Sequence, residues 1–411
     1  MPSPTVSVGA DAPYVFNPFA SGFSDDPYPY YAQLRAADPG HEHPLGFWVV
    51  GHYAEVAELL RSGHSVEDRN AGPSPLRELR AEIGERTMAR SMLDRDPPDH
   101  HRLRRLVSKA FTPRSIEALE PRVVELVDRS LDRIAERVGR DGQADLVEEL
   151  AYPLPFTVIC DMLGMPDTDH VRLRELAGVV VRGLEPVNDP DLMVQIARAG
   201  EELRRRIAAV IEDKRRIPGQ DLLTALIEAE EDGDKLSDEE LVAQVLLLYV
   251  AGHETTVNLI SNGTIALLRN PDQLALLRDR PDLDGPAVEE LLRYDSPVQH
   301  TRRFMLAPHP VGDRVIPVGA FVIAELASAN RDERYWGPDA AQLRLDRANA
   351  RQHLSFGGGP HHCLGAALAR LEGRIAIGRL VRRFPALALA GDIRWNGRIN
   401  LRGPLAVPIT V

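Results

Sequence analysis

The sequence predicts a mainly α-helical protein with a small β lobe, and three observations carry that prediction. Apolar residues recur at three- and four-residue spacing over residues 114–140, 194–214 and 364–384. Strand-like runs are short and far apart: FWVVG at 47–51, RVIPVGAFVIAEL at 314–326 and the C-terminal INLRGPLAVPITV. No internal repeat or low-complexity linker divides the chain. The expectation is a single domain over 1–411, its β lobe built from about 40–60, 309–326 and 394–411 and its helical body from the remainder.

Composition narrows the function classes. The 411 residues carry a net charge of −12, which disfavours nucleic acid or an anionic membrane as partner. The longest apolar run, Leu241 to Gly252, contains Gln244 and is too short to span a bilayer. The N-terminal residues have no basic-then-apolar signal pattern, and two cysteines, Cys160 and Cys363, make no disulfide framework. A soluble, cytoplasmic protein is expected, with a monomer as the default.

Taken in order, residues 63–95 lack a clean period and read as irregular. In DPPDHHRLRR (96–105), His100 and Arg104 fall at i, i+4 on one helix face, which by itself reads as a solvated basic face. Over 237–270, Ser237 and Glu240 form a capping box and Asn270-Pro271 a stop. The first half, LVAQVLLLYVAG, is apolar nearly all round, so this helix should run through the core. His253-Glu254-Thr255-Thr256 then interrupts it. An acid and two hydroxyls there cost free energy unless partnered or used. The structural alternative pairs Glu254 with a base and lets the threonines bond carbonyls four residues back. A zinc-protease motif is excluded by Val257, and His253 reads as a packing residue. Glu290 and Arg293 meet on one helix face.

The segment HLSFGGGPHHCLGAALARLEGR (353–374) asks what a lone cysteine does after three glycines and before a helix. Helix amides and dipole should hold Cys363 as a thiolate. Gly357, Gly358 and Gly359 permit a tight turn, and Gly365 leaves room for a flat group. A phosphate loop is excluded because no GK[ST] follows, and the adjacent His361, His362 and Cys363 make a poor zinc site. A thiolate ligand to one open-faced cofactor remains.

The loop from Phe356 through His361 and Cys363 to Gly365 resembles the cysteine-ligand loop of the cytochrome P450 family. Ala251-Gly-His-Glu254-Thr255-Thr resembles the family's oxygen-activation motif, and Glu290-Leu-Leu-Arg293 its ExxR pair. Arg344-Leu345-Asp346 sits where the third member of that ion network is expected, with Leu345 replacing the usual phenylalanine. His100, Arg104 and Arg303 match positions that bind haem propionates in soluble bacterial members. The likeness runs from Asp26 to the C-terminus.

The resemblance implies a P450 fold, a helical body around buried haem b (iron protoporphyrin IX), with Cys363 as the iron ligand. Phe356, Gly357, His361 and Gly365 would surround the cofactor, and Ala251 and Gly252 would keep the central helix close to it. Thr255 is implied as the distal hydrogen-bond donor and Glu254 as the proton relay. Glu290, Arg293 and Arg344 are implied as structural. The implied reaction is insertion of one atom of O2 into a C–H bond of a hydrophobic small molecule, with epoxidation on the same iron. The alternatives are a peroxide-using peroxygenase, disfavoured by the Glu254-Thr255 pair, and a non-catalytic haem-thiolate recruitment or sensor module.

With no dinucleotide fingerprint in the chain, electrons would come from a ferredoxin and a separate reductase. That partner would dock on a basic face of Arg102, Arg104, Arg105, Arg370 and Arg374. GHETTVNLISNG and AVEELLRYDSPVQ look most like the macrolide- and polyketide-tailoring subgroup, with a substrate either free or bound to a carrier protein. Pocket candidates are Leu247, Ala251, Val298, Met88, Met92 and Leu93. Glu78, Glu82 and Glu85 are candidates to face a cationic substrate or, more simply, form a solvated helix face.

Overall fold

The structure is a computed structural model and describes residues 14–67, 70, 91–109, 111–166, 170–185, 189–231 and 233–411. Met88, Glu78, Glu82 and Glu85 therefore lie outside the described residues.

Helices Tyr28–Ala37 and Tyr53–Arg61 accompany a four-stranded sheet in the order Gly40–Glu42, Trp48–Val50, Phe321–Glu325, His300–Phe304. Trp48–Val50 runs parallel to Phe321–Glu325, with Trp48 opposite Val322; the outer pairings are antiparallel. Trp48, Val50, Val56, Leu59, Leu60 and Val322 pack one core there.

The strands at 48–50 and within 314–326 match the sequence reading; the composition of the β lobe does not. His300–Phe304 (HTRRF) completes the sheet although two arginines hide its pattern. The C-terminal strands do not join it. Pro408–Thr410 pairs with Ala388–Leu389 and with Ala144–Asp145 beside the helical body, and Arg394–Trp395 pairs with Pro404–Ala406. Strands of two or three residues are too short to leave a local signal, and Ala144–Asp145 finds its partner more than 260 residues away.

Residues 114–140 form two helices, Pro113–Glu117 with a Thr112–Ser115 capping box and Glu120–Asp141 with Pro121 in its first turn. Proline lacks the N–H a helix interior requires, so a new helix starts there. The helix predicted at 237–270 is Asp238–Arg269, with the Ser237–Glu240 box formed and Asn270 closing it. Helices Pro153–Leu163, Pro190–Arg216, Asp284–Tyr294 and Ala366–Arg383 pack around it. Leu241 through Val250 are all buried, as expected of a helix through the core.

Candidate active site around Cys363

On the central helix, burial breaks at Ala251, which is exposed, and Thr255 one turn later is half-buried. The helix thus presents an open face in mid-length, where a hydroxyl and a methyl stand four residues apart. Thr255 Oγ1 donates to the Ala251 carbonyl at 3.0 Å, and Glu254 pairs with Arg398. Both interactions are the structural partnerships that the sequence left open. His253 is packing, as read: its ring lies among Tyr152, Phe156 and Tyr249, with Nδ1 2.8 Å from the Tyr249 carbonyl. Gly252 also serves helix packing. A Cβ there would stand 3.2 Å from Ile159 Cδ1, so the small residue lets helix Pro153–Leu163 approach.

The cysteine loop is shaped by backbone. The Cys363 N–H donates to the Phe356 carbonyl at 2.8 Å, and Gly357 and Gly359 hold φ of 68° and 62°. A Cβ on Gly359 would lie 2.4 Å from the Leu60 carbonyl oxygen, so only glycine lets the loop rest on the end of helix Tyr53–Arg61. Around Gly365 a Cβ would meet nothing within 4 Å.

The Cys363 side chain keeps an open side while the loop surrounds the rest. Enclosure pushes its thiol pKa up, against lowering by the Gly365 N–H and the charges of Arg104 and Arg370. The following helix begins at Ala366.

Basic groups gather beside this loop. His100 is buried, both its ring nitrogens have no hydrogen-bond partner among the described residues, and its ring centroid is 4.1 Å from that of His361. Buried Arg303 donates to the Arg302 carbonyl at 2.7 Å and to Thr301 Oγ1 at 3.4 Å, and Arg104 donates to the His362 carbonyl at 2.7 Å. Burial, then Arg104 and His101, bring His100 down to about 4 against the pull of Asp96. Burial, then His100, Arg303 and Arg104, bring His361 down to about 3. Burial lowers Arg303 to about 10, again against Asp96. Asp96 is itself occupied by the Val66 N–H at 2.8 Å, Asn70 and Ser65. Basic groups crowded together, with the buried His100 ring left without a hydrogen-bond partner among the described residues, suit a bound dianion. These residues fit a flat cofactor carrying two carboxylates.

The ion network behind the loop is fully buried. Arg293 Nε and Nη2 donate to Glu290 at 2.7 and 2.8 Å, and its other donors reach the carbonyls of Asn330, Ala340 and Gln342. The third member is Arg347, not Arg344. Arg347 Nε donates to Glu290 Oε1 at 3.2 Å from a buried position. The Arg344 side chain is 48% exposed and turns to Asp339 and Asp346, leaving only its backbone N–H, 2.9 Å from Glu290. Leu345, next to Arg344, is buried.

Beside this network, Glu289 accepts from Arg370 Nε at 2.7 Å and lies 3.1 Å from His353 Nε2. Burial would raise its pKa, but the hydrogen bonds from His353 and Arg370 prevail and bring it to about 2. Arg370 also lies 4.5 Å over the Phe356 ring, so it holds the loop and is not a free docking charge. Arg374 pairs with Glu120, and Arg102 with Glu240 and Asp234. Beside them a groove of about 620 Å³ is lined by His101, Arg104, Arg105, Ser108 and Lys109, with Lys109 donating to the Glu230 carbonyl.

Among the pocket candidates, Leu247 and Met92 belong to the main core, and the Met92 N–H donates to Gln244 at 3.1 Å. Leu93 is exposed, and Val298 is half-buried and bridges to Leu401. Arg398, Arg347, Glu289 and His353 escaped the sequence reading, since each acts across a long stretch of chain. So did Glu372, whose carboxyl is buried against Thr256 and pushed well above its usual range by that burial.

Among the described residues no helix is long and apolar enough to cross a membrane. The family model described as Cytochrome P450 matches residues 46–279 and 286–393. The chain is 44% identical over 398 residues to "Cytochrome P450 monooxygenase PikC" of Streptomyces venezuelae, covering 94% of this chain and 91% of that protein. It is 35% identical over 411 residues to "Polyketide biosynthesis cytochrome P450 PksS" of Bacillus subtilis, covering 97% and 98%. A solved structure of P450BioI in complex with hexadec-9Z-enoic acid ligated acyl carrier protein superposes with a TM-score of 0.85 at 34% identity, covering 95% of this chain and 100% of that one.

Proposed function

The chain belongs to the cytochrome P450 family, and from that premise we propose that it is a monooxygenase placing one oxygen atom from O2 into a C–H bond of a macrolide or other polyketide. The observation that carries the cofactor reading is the gathering of His100, Arg303, His361 and Arg104 beside the Cys363 loop, with both ring nitrogens of His100 unpartnered among the described residues. Haem b with a thiolate on its iron supplies the oxygen-activating chemistry.

Cys363 would be the iron ligand, framed by Phe356, Gly357 and Gly365. His100, Arg104, Arg303 and His361 would hold the two propionates by charge-assisted hydrogen bonds. Across the site, Ala251 keeps the central helix face open. The Thr255 hydroxyl, now donating to the Ala251 carbonyl, would turn its proton toward the reacting oxygen. Glu254 would carry protons between solvent and Thr255. Glu290, Arg293 and Arg347 hold the segment behind the loop and take no part in the chemistry.

The polyketide substrate rests on the similarity to a protein named for polyketide biosynthesis. A carrier-bound substrate is supported by the relative crystallised with an acyl carrier protein. A ferredoxin with a separate reductase is the electron donor we propose, seated on the groove of His101, Arg104, Arg105 and Lys109.

Two measurements test this reading. The reduced protein under carbon monoxide should show the long-wavelength band of thiolate-ligated haem, and Cys363→Ser should lose it; a band that survives in the variant removes Cys363 as ligand. Optical titration against macrolides, other polyketides, terpenoids and steroids should give a saturable low-to-high-spin shift with the polyketide class. A shift seen only with carrier-bound acyl chains would replace the free polyketide by a tethered substrate.

A further inference from the structure

Resting on the assignment of Glu254 to proton transfer, we propose that Arg398 is a positioning residue for that carboxylate and that Glu185 fixes Arg398 from a third part of the chain.

Arg398 and Glu254 stand 144 residues apart in sequence and pair directly, with side chains 16% and 15% exposed. A pair so enclosed is little screened by salt and has few other partners to choose from. The segment that carries Arg398 has no regular structure of its own. Asn396 builds it, accepting from the Arg398 N–H at 3.0 Å and donating to the Leu401 carbonyl at 2.8 Å. Gly397 supplies the left-handed residue of the turn, with φ of 71°.

From outside, one carboxylate anchors this turn. Glu185 accepts from the backbone N–H of Ile399 at 3.0 Å, of Asn400 at 3.0 Å and of Leu401 at 2.9 Å. It follows the helical turn Val181–Leu184, which continues helix His170–Val180. The sheet side is tied as well: the Gln299 N–H donates to the Asn400 carbonyl at 2.8 Å, and Val298 bridges to Leu401.

Charge-assisted bonds to successive amides immobilise a turn far better than one bond could. With the turn fixed, the Arg398 guanidinium has one place to be, and Glu254 has one resting position between proton transfers. Loss of Glu185 would free the turn without touching Glu254, Thr255 or the cofactor face. A pair made only for stability would not transmit that change to the reaction.

The test uses the haem-loaded enzyme with a surrogate ferredoxin and reductase, with hexadec-9Z-enoic acid as the added probe. Two quantities are read: hydrogen exchange at the amides of 399–401, and peroxide released per NADPH consumed. Glu185→Gln should speed exchange at those amides by about tenfold and raise the peroxide yield. Arg398→Gln should raise the peroxide yield to a similar extent, and Arg398→Lys, which keeps the charge, should bring it back toward wild type.

Glu254→Gln separates the two layers. If it leaves the peroxide yield unchanged, the assignment of Glu254 fails and the inference falls with it. If it raises the yield while Arg398→Gln and Glu185→Gln do not, Glu254 keeps its role and the positioning chain is overturned. Faster amide exchange in Glu185→Gln with a wild-type peroxide yield would also overturn it, leaving Glu185 a loop anchor. A lysine variant no better than glutamine would count against charge pairing as the means.

Discussion

Glu290 holds two arginines at once, and which two was only half readable. Arg293 is one turn away on the same helix, so spacing alone brings it to Glu290. Arg344 and Arg347 are both candidates for the third place, and the loop from Asp339 decides by turning Arg344 outward and Arg347 in. Arg347→Ala should therefore cost about 3–5 kcal/mol, because it strips a buried partner from Glu290. Arg344→Ala should cost less than about 1 kcal/mol, as for an exposed pair. Urea unfolding of the two variants checks the order, and equal losses would return Arg344 to the network. Cys363 shows the same limit at one residue. Its place ahead of a helix was legible, but the loop geometry that sets it, with its N–H on the Phe356 carbonyl, was not.

The elements that hold the site were legible where their signals are local. The central helix shows its capping box, its apolar run and its stop in consecutive residues, and it forms within a residue of the expected ends. The glycine run showed that the cysteine loop turns sharply, but not that Gly359 is pressed on the end of helix Tyr53–Arg61. Gly359→Ala should cost about 1–2 kcal/mol for the left-handed backbone alone, and more as the loop lifts from the Leu60 carbonyl. Weaker haem retention and a lower urea midpoint should appear together; an unchanged midpoint would show that the loop does not rest on that helix end. Strand His300–Phe304 was missed because strand recognition relies on alternating apolar residues. Three of its side chains instead are basic, and Arg303 belongs to the basic group beside the Cys363 loop.

Across the whole molecule, burial sets how stability varies with pH. Glu325 and His300 face each other across the sheet, Oε2 3.9 Å from Nδ1, and burial raises the acid to about 8 and lowers the base to about 4. Distance alone would make them an ion pair, yet desolvation outweighs attraction at a separation too long for a hydrogen bond, so both are neutral near pH 7. The stability Glu325 contributes is full below its unfolded value of about 4.3. It is lost as pH rises to about 8, at up to about 1.4 kcal/mol per unit. The part due to His300 is present above about 6.5 and is lost as pH falls toward about 4. Glu325→Gln should flatten the alkaline limb of urea midpoints taken between pH 5 and 9, and parallel curves would refute the buried neutral acid.

The strand pairing of Ala144–Asp145 with Pro408–Thr410 also bears on how the protein is made. Translation proceeds at about 5–20 residues per second, so the earlier strand waits on the order of tens of seconds beyond the ribosome for its partner. Throughout that wait the nascent chain presents an unsatisfied backbone edge, and Glu254 has no Arg398. The helical body can gather early, but a segment made some 250 residues later completes it, which makes this interval the one in which a chaperone has most to protect.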